Sequence, residues 1–332
     1  MIVGRYAPSP SGRMHVGNLF SYLVSYLLTH QRAKTHNVKA SMRLRVEDLD
    51  PARSKKCYID QLFADLAWFG FSWDGEVVYQ SKRTSAYQTA FSSLLKAERV
   101  YPCFCSRADL HSAQAPHRGE EILYAGTCRP SKDHCKDHSD LRILDATTHS
   151  TTSTRRSPAY RLLIPSSLSI NFKDYFQGEQ VFMLEAPGDD FIVRRSDGVF
   201  AYQLAVVLDD AFQGVNCIVR GEDLLTSTAK QIHLRSLLRP FKDDELLYAH
   251  VPLIVDESGK RLSKRNQDAT LSYLIETLCL TASEILGLIS FVTGLIEVYK
   301  PLTLHQLVEY ANLDSLRNKT EIVWPSSLQS IL

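Results

Sequence analysis

The chain opens on a short apolar run, residues 2–7, broken only by Arg5. From His15 onward Leu19, Leu23 and Leu27 return at every fourth position, the spacing of one helix face. A strand, a loop and a helix are therefore expected in that order. Residues 41–50 alternate Met42, Leu44 and Val46 with Arg43, Arg45 and Glu47, as a strand with one buried face does, and the pattern breaks at Asp50-Pro51. A second helical pattern runs to about Gly70. The short strand EVVYQS and a third helical pattern over 82–99 follow. Strands alternating with helices predict βαβ units and a parallel sheet.

From Tyr101 the texture changes to cysteines, histidines and turn residues. It ends in the polar run DATTHSTTSTRR, 145–156, which reads as a solvated loop in an insertion. Regular patterning returns over 190–211, where Ser196-Asp197-Gly198 stands between two apolar runs as a hairpin turn does. NCIVRGEDLL then reads as a buried strand entering a helix. The stretch 248–267 reads as a strand followed by a glycine and four basic residues, and the chain from about Leu271 is helical in pattern. Within it, ILGLISFVTGLI is too short to span a bilayer and is expected in the core. No internal repeat is found. The expected units are 1–100, the first half of an α/β domain; 101–188, an insertion; 189–270, its second half; and 271–332, a short helical part.

The loop RYAPSPSGRMHVGN is stiffer than a strand-to-helix connection requires, because Pro8 and Pro10 fix φ before Gly12 releases it. A rigid loop opening a helix presents unpaired backbone N–H groups and the positive end of the helix dipole, a ready site for phosphate. His15 and Asn18 fall on one side of the first turn, where both can donate to phosphate oxygens, and Gly17 between them lets a flat base or ribose approach. A His-x-Gly is equally the start of an ordinary helix, and GKRLSKR, 259–265, is by itself equally a solvated basic loop.

Composition narrows the partners only slightly. Lys and Arg total 38 against 37 Asp and Glu, a formal net charge of +1, so a nucleic-acid partner would have to meet a local basic face. Met1 runs into an apolar strand without the basic and apolar regions of a secretory signal, so a cytoplasmic protein with no membrane contact is expected. Seven cysteines, an odd number, argue against a disulfide framework and for metal ligation or buried thiols.

Taken together and in this order, PSPSGRMHVGN and RLSKR resemble the two ATP-binding motifs, HIGH and KMSKS, of class I aminoacyl-tRNA synthetases. The blocks RLRVEDLDPAR, YPCFCSRADL, FAYQLAVVLDDA and IVRGEDLL extend the likeness to the glutamyl-type synthetases. Over roughly residues 2–270 the chain is most similar to the glutamyl-queuosine tRNA(Asp) synthetases. Asn18 stands where many class I enzymes carry the last histidine of the first motif, and Arg261-Leu262 replaces Lys-Met in the second.

The resemblance implies a Rossmann-like doubly wound parallel sheet, with an inserted zinc-containing subdomain and a short helical C-terminal part. It implies ATP and Mg²⁺ held by His15, Gly17, Asn18, Arg261 and Lys264, with His15 and Lys264 serving the chemistry. It implies an L-glutamate site at Arg5, Tyr6, Ala7, Pro8, Ser9, Glu47, Tyr202 and Arg220. The residue types suit those tasks: Arg5 can take a side-chain carboxylate in bidentate fashion, Arg220 adds a second positive charge, and Glu47 can pair with the α-ammonium. A structural ion pair is the alternative for Glu47 and Arg220.

Cys103, Cys105 and Cys128, with Tyr124, supply three thiolates and one oxygen, a set that suits one tetrahedral Zn²⁺ per chain. His134, Cys135 and His138 are rival ligands, while Cys57, Cys217 and Cys279 sit in apolar patterns and are expected in the core. Only residues 266–332 follow Arg265, which leaves no room for an anticodon-binding region. The glutamyl-queuosine synthetases that the chain resembles lack that region and place glutamate on queuosine in the anticodon stem-loop of tRNA(Asp), so the resemblance implies that acceptor; a monomer is expected. The alternatives are a shortened glutamyl-tRNA synthetase and a catalytically silent RNA-binding relative.

Overall fold

A computed structural model describes residues 1–52, 54–106, 124–130, 157–238, 246–262, 270–328 and 331. The first strand, β1 (Ile2–Tyr6), leads through the proline loop into α1 (Val16–Thr35). His15 caps that helix: its Nδ1 accepts the Gly17 N–H at 3.1 Å, while Asn18 Oδ1 accepts the His15 N–H at 3.4 Å. The loop is tied down at its other end by the Glu47 N–H donating to Pro8 O at 2.8 Å, and it turns at Gly12, whose φ of 135° a side chain rarely tolerates.

The chain then forms β2 (Ala40–Val46), α2 (Lys56–Trp68), the two-residue β3 (Val78–Tyr79), and α3 (Thr84–Lys96) behind a 3₁₀ turn at Gln80–Arg83. β1 runs parallel to β2, Ile2 opposite Ala40 through Tyr6 opposite Leu44, and β2 runs parallel to β3. β4 (Val100–Cys103), β5 (Ala159–Leu162) and β8 (Phe191–Arg194) make a small antiparallel sheet. Between β5 and β8 the chain forms the hairpin β6 (Ser167–Asp174) and β7 (Gly178–Glu185), which packs Leu184 into one core cluster with Leu162 and Val193.

After α4 (Tyr202–Phe212), β9 (Cys217–Gly221) enters α5 (Leu225–Leu238) through a 3₁₀ turn, and β10 (Leu247–Val251) runs parallel to β9 and, at Tyr248, to β6. Val3 N–H donates to Asn216 Oδ1 at 2.8 Å and Val3 O accepts the Asn216 N–H, so β1 and β9 lie side by side. Two parallel halves thus meet along β1 and β9, and α1 covers the seam. Leu19, Leu23, Leu27 and Leu28 are fully buried there, beside Leu44 and Cys217. The order is the Rossmann-like α/β arrangement expected.

Beyond β10 lie β11 (Leu253–Val255), a π turn at Tyr273–Thr277, α6 (Ala282–Val292), α7 (Leu304–Tyr310) and β12 (Glu321–Val323). β12 corrects the all-helical expectation for 271–332, since it pairs in parallel with β11. Three residues are too few for a period to declare itself. The apolar stretch 285–296 lies in the core as expected, with Ile285, Leu288 and Ile289 fully buried.

Three further expectations change. β2 buries both faces: Arg45, read as solvent-facing, is fully buried, because α4 covers the side opposite α1. The second apolar run around Ser196-Asp197-Gly198 folds as α4, since Leu204, Val207 and Ala211 keep helical spacing; the hairpin is limited to the Arg194–Phe200 bridge. Cys217 is buried, but Cys57 and Cys279 are exposed, the first in the opening turn of α2 and the second in the turn before α6. The 145–156 run lies outside the described residues.

One buried ion cluster joins β1, β2 and α4. Asp210 Oδ1 accepts from Arg45 Nη1 at 2.5 Å and Arg5 Nε at 3.3 Å, and Arg45 Nη2 donates to Glu47 Oε1 at 3.1 Å. Burial would raise the Asp210 carboxyl, but Arg45 and then Arg5 outweigh it and hold the group below its ordinary range. Removing the one carboxylate that serves two buried guanidiniums leaves charge uncompensated. Asp210→Asn should cost about 3–5 kcal/mol in denaturant unfolding. Lys34→Ala, which breaks an exposed pair with Glu309, should leave the midpoint essentially unchanged.

Candidate active site

The carboxyl ends of β1, β2, β9 and β10 open onto a cleft of about 370 Å³. Its walls include Arg5, Ala7 and Ser9 from the proline loop, His15, Gly17 and Asn18 from the start of α1, Glu47 just past β2, Tyr202 at the start of α4, and Arg220 near the end of β9. Arg261 and Leu262 close the far side. A cleft outside strand carboxyl ends, with helix N-termini pointing at it, is where open α/β sheets bind ligands.

The two motif loops are brought together by backbone pairing. His15 bridges Thr270, so the chain just after the second motif lies against the first, while Val255 bridges Arg261 within the second segment. Leu262 is buried, as a filler should be, while Arg261 remains over half exposed and pairs with Asp223. Lys264, expected beside ATP, lies outside the described residues. Because His15 Nδ1 accepts the Gly17 N–H, the ring proton belongs on Nε2, and the imidazole presents a donor there.

The side of the cleft formed by Arg5, Glu47 and Arg220 holds three charges in different states. Arg5 shares its charge with Asp210 and gives Nη1 to Val219 O at 2.5 Å. Glu47 pairs with Arg45; burial raises its carboxyl, and Arg45 opposes that without cancelling it. Glu47 is thus both in a structural ion pair and on the cleft wall. Arg220 donates Nε to His250 Nε2 at 3.1 Å, Nη1 to Gln231 Oε1 at 2.6 Å, and Nη2 to Thr228 Oγ1 at 2.7 Å. Every one of these partners is a neutral group, so the structural ion pair offered as an alternative for Arg220 is absent among the described residues. Burial raises the Tyr202 phenol, and Glu47 adds to that, so the group stands as a neutral hydroxyl.

Two expected residues are elsewhere. Tyr6 turns its ring into the core against Tyr22 and Phe71 and is fully buried, so its side chain forms no wall of the cleft. Pro8 lines a smaller adjoining pocket and serves the site through its carbonyl, which holds Glu47 in place. Sequence reading passed over Tyr22, Asp223 and Leu224, which also line the cleft, and Asp210 behind it. Asp209-Asp210 within an otherwise apolar helix pattern was the available signal for the last.

At the end of β4, Cys103, Cys105 and Cys128 place their sulfurs within 4.8 Å of one another, with Cys105 and Cys128 at 3.7 Å. Zn–S bonds of about 2.3 Å give a tetrahedral edge of roughly 3.8 Å, so the spacing fits a metal. Tyr124 Oη lies 3.8 Å from Cys103 Sγ and accepts the Cys128 N–H at 2.8 Å. Arg161 Nε donates to Cys103 Sγ at 3.4 Å; against the burial that would raise this thiol, Arg161 draws it below its ordinary range. Burial and the Cys128 contact push Cys105 up to about 12. The group could hold a metal ion; His134, Cys135 and His138 lie outside the described residues. Among the described residues no helix is long and apolar enough to cross a membrane.

Residues 1–277 match the family described as tRNA synthetases class I (E and Q), catalytic domain. The chain is 40% identical over 273 residues to the glutamyl-Q tRNA(Asp) synthetase of Geobacter sulfurreducens, covering 82% of this chain and 78% of that one. It is 38% identical over 312 residues to the glutamyl-Q tRNA(Asp) synthetase of Nitratidesulfovibrio vulgaris, covering 91% and 89%. The crystal structure of the glutamate-tRNA synthetase from Elizabethkingia anophelis superposes with a TM-score of 0.75 at 20% identity, over 98% of this chain and 68% of that one, a likeness of fold. A parallel sheet opening on a cleft between the two motif loops, and a family match across most of its length, are the marks of one group: this chain belongs to the class I tRNA synthetases of the E and Q type.

Proposed function

We propose that this ATP-dependent ligase activates L-glutamate as glutamyl-adenylate and transfers it to queuosine at the wobble position of tRNA(Asp). The observation that carries the amino acid is Arg220, a buried guanidinium on the cleft wall whose described partners are all neutral. The acceptor reading is supported by the two glutamyl-Q tRNA(Asp) synthetases that match over most of their length.

In this reading the α-carboxylate of glutamate attacks the α-phosphorus of ATP, and pyrophosphate departs. Charge grows on the transferring phosphoryl group, so positioning and electrostatic stabilisation are the protein's main tasks. The Nε2–H of His15, the side-chain amide of Asn18, the positive end of the α1 dipole, and Arg261 from the opposite loop would hold the phosphates, while Gly17, whose N–H is taken by His15 Nδ1, would leave room for the nucleoside. Lys264 would join them, and Mg²⁺ accompanying ATP would neutralise the departing pyrophosphate. The α-carboxylate must stay free to react. The amino acid is therefore gripped by its other groups: the ammonium by Glu47, and the side-chain carboxylate by Arg220, with Ser9 and the Tyr202 hydroxyl as hydrogen-bonding neighbours. Arg5, expected to lead in this grip, is already shared with Asp210 and takes second place.

Zn²⁺ would be held by Cys103, Cys105, Cys128 and Tyr124, and when bound it would crosslink β4 to the 124–130 turn. One monomer would carry one ion, and binding of the anticodon stem-loop would use a local basic face and weaken with salt.

Glutamate should support ATP–pyrophosphate exchange, and aspartate, one methylene shorter, should do so at least tenfold less well, about 1–3 kcal/mol in fit. Arg220→Ala should lower kcat/KM for glutamate by about 1.5–3 kcal/mol, roughly ten- to a hundredfold. Equal exchange with both amino acids would sink the site assignment. Metal analysis should find one zinc per chain, lost in Cys103→Ser and kept in Cys135→Ser; loss only in the second would move the site to the histidine cluster.

For the acceptor, the comparison is labelled glutamate with tRNA(Asp) carrying queuosine, the same tRNA with guanosine, and tRNA(Glu). Label should follow queuosine. Label on tRNA(Glu) as a terminal ester, indifferent to queuosine, would establish the shortened glutamyl-tRNA synthetase instead.

A further inference from the structure

The neutral cradle around Arg220 has a charged residue behind it. His250 Nδ1 lies 2.6 Å from Asp174 Oδ2, and both side chains are fully buried. The other carboxylate oxygen, Asp174 Oδ1, accepts three backbone N–H groups: His250 at 3.1 Å, Phe176 at 3.0 Å and Gln177 at 2.9 Å. Asp174 is therefore an anion fixed by the chain itself, at the point where β6 meets β10. Burial would raise it, but the His250 contact and these amides hold it below its ordinary range.

An imidazole that accepts Arg220 Nε–H at Nε2 must carry its proton on Nδ1, and Asp174 Oδ2 takes that proton's hydrogen bond. Thr228 Oγ1, 3.1 Å from Nε2 and 2.7 Å from Arg220 Nη2, closes the triangle. Burial pushes His250 below the ordinary imidazole range, with Asp174 opposing and Arg220 reinforcing the shift, so the ring is neutral. Neither Asp174 nor His250 lines the cleft.

We propose that Asp174 and His250 are positioning residues: the neutral imidazole aims Arg220 into the cleft and keeps its charge unspent for the ligand's side-chain carboxylate. A carboxylate placed directly on Arg220 would orient it equally well but satisfy its charge, as Asp210 does for Arg5. With the ring interposed, Asp174 acts on Arg220 through tautomer and geometry, in the way that an orienting carboxylate fixes a histidine in other active sites. The proposal rests on Arg220 as the partner of the glutamate side chain.

The test uses the full chain in ATP–pyrophosphate exchange, together with ¹⁵N NMR of the histidine rings. The His250 ring should be the neutral Nδ1–H tautomer. His250→Leu and Asp174→Asn should each raise the KM for glutamate by on the order of tenfold while the KM for ATP stays within about twofold. His250→Gln, whose amide oxygen can accept from Arg220 Nε, should return the glutamate KM to within about threefold of the parent, and it serves if the leucine variant does not fold.

An Nε2–H tautomer overturns the proposal. So does a glutamate KM unchanged in His250→Leu while Arg220→Ala is impaired. A parallel rise of both KM values with a lowered thermal midpoint would mark a merely structural role and overturn it too. If Arg220→Ala itself leaves the glutamate KM unchanged while the tautomer is Nδ1–H, the reading of Arg220 has failed and the geometry has not.

Discussion

Asp210 accepts from Arg5 and Arg45 at once, and the cleft depends on that carboxylate. The three residues come from α4, β1 and β2, Asp210 lying 165 positions or more along the chain from either arginine, and they meet in the buried layer under the strand ends. Without the carboxylate, two guanidiniums would face each other in a low-dielectric interior. With it, Arg45 is free to hold Glu47, and Glu47 in turn is fixed by its backbone to Pro8 of the motif loop. In the proposed function, the ion cluster thereby sets the distance between the loop assigned to ATP and the residue assigned to the ammonium group.

Counting charge through this cluster explains what the cleft can accept. Arg5 and Arg45 are balanced by Asp210 and Glu47, and Arg261 is paired with Asp223 at the rim. Asp174 lies behind an imidazole, its carboxylate met by backbone amides. Among the described residues, the cleft cation without a charged partner is the guanidinium of Arg220, which faces the ligand in the proposed function. An amino acid with a carboxylate on its side chain carries one net negative charge and restores the balance. A neutral amino acid would leave a buried cation without a partner, at a cost of the order that burying an unpaired charge always carries. Selectivity in this reading is a matter of charge first and of length second.

The parts that could be read from the chain are those in which residues close in sequence do the work. The strand, stiff loop and helix of residues 2–35 were legible because Leu19, Leu23 and Leu27 declare one face and Pro8, Pro10 and Gly12 declare the turn. The cluster of Cys103, Cys105 and Cys128 was legible from spacing as well. Relations across the fold were not. Arg45 looked like the exposed side of an alternating strand, because nothing local says that α4 will cover it. Tyr6 was assigned to the ligand by its neighbours in the motif, yet period-2 alternation along β1 turns it into the core while Arg5 faces the cleft. Asp174 and His250, 76 positions apart, carry no motif at all. β12 was hidden by its length of three residues.

The two halves of the cleft differ in how firmly they are built, and in the proposed function the difference follows their tasks. On the side assigned to the amino acid, Arg5 and Arg220 are held by buried partners, so their geometry is complete before any ligand arrives. On the ATP side Arg261 projects from a turn at Gly259, stays over half exposed, and is paired only at the rim. A triphosphate brings its own strong charge, so it can recruit donors from a surface turn and from side chains at a helix start. A single carboxylate on a short side chain cannot. Rigidity is placed where the ligand is weak in charge and must be recognised by length, and the more exposed donors are left to the phosphates, whose charge changes position as the bond to pyrophosphate breaks.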